Sequence, residues 1–209
     1  MGQIIEIQKV TVGPRYLTAR IRVDEEAPLF TNEDLEGTTR VYNLMPQICD
    51  HACFGDAGKT FRDALHATEV AHLFEHISVE LIARTGLGGT ISTGRTTPIT
   101  SVDTRTFDIT LDCPDDALVA GALSSAAWIL QWAYTGGGNP EPGIDAIVEG
   151  LTMLVKSLDD ASESGNNSSE DAELLNQTDS KNVTANSASD ITTSTDDATA
   201  IASNTVDGE

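Results

Sequence analysis

The segment from Asp159 to Glu209 sets the first limit on what this chain can fold into. It reads DDASESGNNSSEDAELLNQTDSKNVTANSASDITTSTDDATAIASNTVDGE, with 12 acidic residues, one base (Lys181) and no aromatic residue. Its few apolar positions follow no amphipathic period, so ordering it would cost more conformational entropy than its burial could offset. A disordered acidic tail is expected there, its plainest role being solubility. The fold is then the work of residues 1–158, long enough for one well-buried core. The tail carries −11 of the formal charge of −21 and leaves −10 on the folding part.

That balance argues against a nucleic-acid partner, because phosphate contacts need clustered Lys and Arg. It argues equally against docking on an anionic membrane. A cationic or arginine-bearing ligand suits it. The start, MGQIIEIQKV, lacks the basic and apolar regions of a signal peptide, and no apolar run approaches the roughly 20 residues that span a bilayer. A soluble, cytoplasmic protein is expected. Three cysteines, Cys49, Cys53 and Cys113, are an odd and sparse set for a disulfide framework in a reducing compartment.

Within residues 1–158 the hydrophobic period switches between two and 3.6. QIIEIQKVTV and YLTARIRVD alternate, with Gly13-Pro14 between them, and read as an antiparallel hairpin. Thr31 to Asp34 marks a helix start, with a helix through LEGTTRVYNLMPQI whose extent Gly37 and Pro46 limit. A Gly- and Thr-rich extended segment around STGRTTP precedes a strand, RTFDITLDC. Pro114-Asp115-Asp116 opens an apolar helix, DALVAGALSSAAWILQWAY, and IDAIVEGLTMLVKSL makes a last one, with Ile144, Ile147, Val148, Leu151, Leu154 and Val155 apolar. The mixture predicts an α+β domain, a small and largely antiparallel sheet packed against several helices.

One helix carries chemistry. VAHLFEHISVEL, residues 70–81, is expected to begin at a Thr68 cap and to end near Arg84. Val70, Leu73, Phe74, Ile77 and Leu81 fall on one face and form a core stripe. His72, Glu75 and His76 fall on the opposite side, with Glu80 nearby. Histidines four apart on a helix can grip one metal ion. Glu75 points to the same side and is free to hold a water and take its proton. This is the inverted zinc-peptidase order H-x-x-E-H. The alternative is an ordinary solvated helix face.

A catalytic zinc takes a third protein ligand. The loop ICDHACFGD offers Cys53, a thiolate donor, or His51; Glu80, one turn after His76, is a further alternative. Cys49 and Cys113 read as small core residues, and His66 as a surface residue. Arg95, in STGRTTP, can present its guanidinium to a carboxylate or an oxyanion or lie in a surface ion pair.

The ordered set Leu44, Pro46, His51, Cys53, His72, Glu75, His76, Glu80, Leu81, Gly94, Arg95 and Thr96 resembles the N-terminal domain of cyanophycin synthetase, over roughly residues 1–157. The resemblance implies a domain that holds cyanophycin, a poly-aspartate backbone with arginine on each side chain. In some members it implies a metallopeptidase that trims the polymer. Two departures matter. The ATP-grasp and Mur-ligase-like domains that build the polymer have no counterpart here, so polymerase activity is not expected. Thr97 stands where the family commonly has a second basic residue after Gly-Arg-Thr.

The leading expectation is a zinc-dependent hydrolase of peptide or amide bonds in cyanophycin-like or other arginine-rich peptide. His72, His76 and Cys53 would hold the metal, Glu75 would act as general base, and Arg95 would stabilise the oxyanion or bind a carboxylate. The competing expectation is a non-catalytic module that binds such a polymer or a separately encoded synthetase, with homo-oligomerisation left open. A metalloenzyme acting on a small molecule ranks last.

Overall fold

The computed structural model describes residues 2–53, 58–89, 91 and 94–178, with side chains inside the last helix described through residue 162. Strands β1 (Ile5–Val12) and β2 (Tyr16–Val23) form the expected hairpin, with a bulge between Ile7 and Lys9. The Gly13 N–H closes it onto the Tyr16 carbonyl at 2.8 Å. Strands β3 (Gly94–Pro98) and β4 (Thr106–Asp112) form a second antiparallel pair. Because β4 also pairs antiparallel with β2, the sheet order is β1-β2-β4-β3. The α+β expectation holds.

Period-two alternation sorts the sheet into two faces. Leu17, Ala19, Ile21 and Val23 of β2 and Phe107, Ile109 and Leu111 of β4 are buried against the helices. The outer face is polar and paired across strands. Arg20 grips Asp108 with two bonds of 2.9 and 3.0 Å, and the Thr18 and Thr110 hydroxyls meet at 3.1 Å.

Among the described residues the helices are α1 (Leu35–Leu44), α2 (Phe61–Ala64), α3 (Val70–Arg84), α4 (Asp116–Tyr134) and α5 (Ile144–Thr178); four follow the expected order, and the one-turn α2 was not expected from the sequence. Asp34 caps α1 by accepting from the Gly37 N–H at 2.8 Å. Helix α1 stops at Leu44 instead of running to Ile48, and Pro46 begins a 3-10 turn, Pro46–Asp50. Proline fits a first turn but not a helix interior, where it removes a donor and clashes with the preceding turn. Gly37 is there for packing: a Cβ would run into the Tyr134 ring of α4.

Helix α3 departs from expectation at its start. Glu69, not Thr68, occupies the capping position, with no side-chain bond. The first N–H, of Val70, is satisfied instead by the Leu29 carbonyl at 2.8 Å. That frees the Thr68 hydroxyl for another partner. Val70, Leu73, Phe74, Ile77 and Leu81 are fully buried, which contributes on the order of 1.5–3 kcal/mol per side chain. The second face is not solvated, because the Pro46–Asp50 turn, α4 and strands β2 to β4 all pack on this helix. Glu75, His76 and Glu80 are therefore buried too.

Helix α4 is, at 19 residues, long and apolar enough by composition to cross a bilayer, contrary to the reading that no such run exists. Most of its apolar side chains, among them Leu118, Val119, Leu123, Ile129 and Leu130, are core, whereas Trp128 is exposed, and it packs on α1, α3 and β1. On α5, Ile144, Leu151 and Val155 are buried as expected, but Leu154 is exposed beside Met153. Of the segment expected to be a disordered tail, residues to Thr178 continue α5, and residues 179–209 lie outside the described residues.

Candidate metal centre

Thr68, His72, His76 and Glu80 stand at successive intervals of four along the start and length of α3. Residues at that spacing stack along one helix face. The facing wall is the chain just after the Pro46–Asp50 turn, which brings His51 and Cys53. Phe61 of α2 closes the back of the site. Its ring stacks on His76 with centroids 3.9 Å apart and meets His72 edge-on at 5.1 Å. Phe61 is fully buried, so both imidazoles are held against a rigid wall.

Three donor atoms converge here. One ligand atom each from Cys53, His72 and His76 lies within 4.8 Å of the others. The two Nε2 atoms are 3.2 Å apart, and Cys53 Sγ is 3.6 Å from His72 Nε2. A tetrahedral zinc with ordinary bond lengths would place two nitrogens about 3.3 Å apart and a nitrogen and sulfur about 3.6 Å apart. The donor set is the borderline-soft mixture that zinc takes. The other expected alternatives are engaged elsewhere: His51 Nε2 meets Glu80 Oε2 at 2.8 Å, and His51 Nδ1 meets His76 Nδ1 at 3.2 Å. His72 Nδ1 meets the Thr68 hydroxyl at 2.9 Å. His72 and His76 thus have partners on Nδ1 and expose Nε2 to one point.

Electrostatics keep these rings neutral, as ligation requires. Burial pushes the His76 pKa down to about 2, helped by His72 and then His51. Burial also lowers that of His72, against a smaller opposing effect from Glu69. With Nδ1 protonated, the two Nε2 lone pairs face each other at 3.2 Å, an arrangement that a cation between them relieves. The residues present fit a metal ion.

Glu75 lines the same cavity, of about 400 Å³, with Cys53, Glu69, His72, His76 and Thr96. It is 3% exposed, and burial raises its pKa. Bonds from Thr96 and Gly94 pull the other way: the Thr96 hydroxyl donates to Oε2 at 2.5 Å and the Gly94 N–H to Oε1 at 3.1 Å. Gly94 permits this approach, because a Cβ there would stand 2.8 Å from Glu75 Cγ and 2.5 Å from Leu111 Cδ2. The carboxylate is held on β3, opposite the helix that carries it.

Arg95 is placed differently. Gly94 and Thr96 face Glu75, so strand alternation sends the Arg95 side chain to the outer face, where its register partner is Thr110. It is exposed and lines both the metal cavity and an adjoining one of about 410 Å³ shared with Arg15, Tyr16 and Asp112. Neither Arg15 nor Arg95 has an ion-pair partner among the described residues. Cys49 is buried and Cys113 half-buried, both unpaired, and His66 is exposed.

Four roles were not read from the sequence: Thr96 as the hydroxyl on Glu75, Phe61 as the wall behind the imidazoles, Thr68 as the partner of His72, and His51 as the partner of Glu80. Two of them carried a signal, the interval of four from Thr68 to His72 and the alternation that puts Thr96 on the face of Gly94. A comparison with curated proteins finds no match. A family model, the cyanophycin synthase-like N-terminal domain, matches residues 19–131, more than half of the chain. With that match, the chain belongs to the cyanophycin synthase-like N-terminal domain family.

Proposed function

We propose that this protein is a zinc-dependent hydrolase of amide bonds in an arginine-bearing aspartyl polymer of the cyanophycin type or a similar arginine-rich peptide. The observation that carries the reading is the convergence of Cys53 Sγ and the two Nε2 atoms beside a buried carboxylate that ligates nothing. Zinc held there would supply an acidified water and polarise a carbonyl.

The chain's own residues do the rest. Glu75 accepts a proton from the attacking water on a carboxylate oxygen and returns it to the leaving amine. Thr96 and the Gly94 N–H hold that carboxylate still and leave each oxygen a free lone pair. Phe61 fixes the imidazole planes. At the rim, Glu69 and the neighbouring Asp112 suit guanidinium groups, whereas Arg95 and Arg15 suit carboxylates. A substrate with both charges along its length meets both kinds of partner.

The test is Glu75→Gln, compared with the wild type for zinc content and for cleavage of purified cyanophycin. Hydrolysis by the wild type that is abolished in the variant, with one zinc retained in each, supports the reading. Full activity in Glu75→Gln refutes the mechanism. A wild type that binds the polymer without cleaving it turns the domain into the binding module instead.

A further inference from the structure

Two largely enclosed polar side chains behind the candidate metal cluster have no part in that mechanism. His51 and Glu80 are only 13% and 10% exposed at the side chain, and they meet at 2.8 Å. Burying polar groups costs free energy unless each finds a hydrogen-bond partner, so their placement calls for a function. The contacts line up in one row: Glu80 Oε2, His51 Nε2, His51 Nδ1, His76 Nδ1, and then His76 Nε2 facing His72 and Cys53.

Only one proton arrangement satisfies this row with a metal at its end. Ligation through His76 Nε2 puts the hydrogen of His76 on Nδ1. That N–H must donate, and the acceptor 3.2 Å away is His51 Nδ1. His51 Nδ1 is then bare, so its hydrogen sits on Nε2 and donates to the Glu80 carboxylate. Exchanging the tautomer of His51 would set two N–H groups against each other and leave Glu80 without a donor. Ligand histidines commonly give their second N–H directly to a carboxylate or carbonyl, which fixes the ring and raises its basicity. Here a second imidazole is interposed, and the carboxylate stands one ring further back.

We propose that His51 and Glu80 are a positioning relay for His76, in which Glu80 sets the tautomer of His51 and His51 sets that of His76, so that the Nε2 lone pair of His76 is committed to the metal. The proposal rests on the reading that Cys53, His72 and His76 bind a metal. It makes His51 and Glu80 positioning residues and not the third ligand.

The experiment uses the full chain and zinc. Zinc affinity is measured by competition with a chromophoric chelator for the wild type, His51→Phe and Glu80→Gln. Long-range ¹⁵N–¹H spectra of the zinc-loaded wild type report which nitrogen of each imidazole is protonated. The expected result is hydrogen on Nδ1 of His76 and on Nε2 of His51. His51→Phe, which keeps a ring in place but offers no acceptor, should weaken zinc binding 10- to 100-fold, the usual range for loss of an outer partner. Glu80→Gln still presents a carbonyl oxygen to His51 and should keep most of the affinity. Hydrogen on Nδ1 of His51, or unchanged affinity in His51→Phe, would overturn the relay while leaving the metal site standing. A wild type that takes up no zinc would overturn the metal reading and the relay with it. Should His51→Phe fail to fold, the tautomers of the wild type still decide the matter.

Discussion

Replacing Gly94 by alanine probes how Glu75, the proposed general base, is held without touching a proposed metal ligand. The added Cβ would sit 2.5 Å from Leu111 Cδ2 and 2.8 and 3.0 Å from Glu75 Cγ and Cδ. Carbon atoms prefer separations of about 3.5–4.0 Å, so something must move by about 1 Å. Leu111 is fully buried and has nowhere to go. The strain therefore falls on β3 and on the Glu75 side chain. A shift of about 1 Å takes the Gly94 N–H out of bonding distance of Oε1, now 3.1 Å away. Overpacking of this kind costs about 1–3 kcal/mol. At about 2–4 °C per kcal/mol for a domain of this size, melting should fall by about 2–12 °C. Misplacing a catalytic group by about 1 Å costs on the order of 100-fold in rate. Zinc affinity should stay within about threefold of wild type, because Cys53, His72 and His76 lie on other elements. Melting by circular dichroism, chelator competition and cleavage of cyanophycin read the three quantities. A variant that melts within about 1 °C of wild type and cleaves at the same rate would show that Gly94 does not position Glu75.

Thr96→Val keeps the shape but removes the hydroxyl from Glu75 Oε2, so cleavage should drop by at least tenfold with zinc content unchanged; equal rates would mean that the 2.5 Å bond is idle. Arg95→Ala should raise KM for the polymer and leave kcat and zinc affinity alone, since the side chain leaves the sheet on the face away from Glu75; a fall in kcat at constant KM would put Arg95 at the oxyanion instead. Chelation should lower the melting temperature, because ligand present at about 100 times its Kd stabilises by about 2.7 kcal/mol; identical melts with and without zinc would argue against the site. Tyr134 is buried and bonded to Thr38 at 2.8 Å, and burial pushes its pKa up to about 12. Its raised value makes stability greatest below the unfolded tyrosine pKa of about 10, with loss as pH rises from there to about 12. Tyr134→Phe should remove that loss in denaturant titrations, and a profile of unchanged slope would refute the assignment.

The strands were legible because one face of each is buried, so Leu17, Ala19, Ile21 and Val23 announce their period. Helix α3 was legible from its apolar stripe, and the motif upon it from the interval between His72 and His76. What could not be read is which chain segment covers the second face of α3. That depends on the turn after Pro46 bringing His51 and Cys53 back across the helix, a tertiary contact with no local period. The choice among Cys53, His51 and Glu80 as third ligand stayed open for the same reason. Spacing along a helix shows that His76 and Glu80 share a side, but not that a third residue stands between Glu80 and the cluster. Thr68 misled because a threonine before a helix is usually its cap, whereas here the Leu29 carbonyl satisfies the first N–H and the hydroxyl turns to His72.

The two halves of the site differ in mechanical standing. The two histidines proposed as ligands ride on α3, which is packed on nearly all sides, so their backbone amides should exchange with solvent only when the whole domain opens. Gly94 and Thr96, which hold Glu75, belong to β3 at the end of the sheet order, with a neighbouring strand on one side only among the described residues. Edge strands open at lower free energy than central elements. Metal retention and catalytic competence should therefore be lost at different denaturant concentrations, the base losing its alignment while the ion is still held.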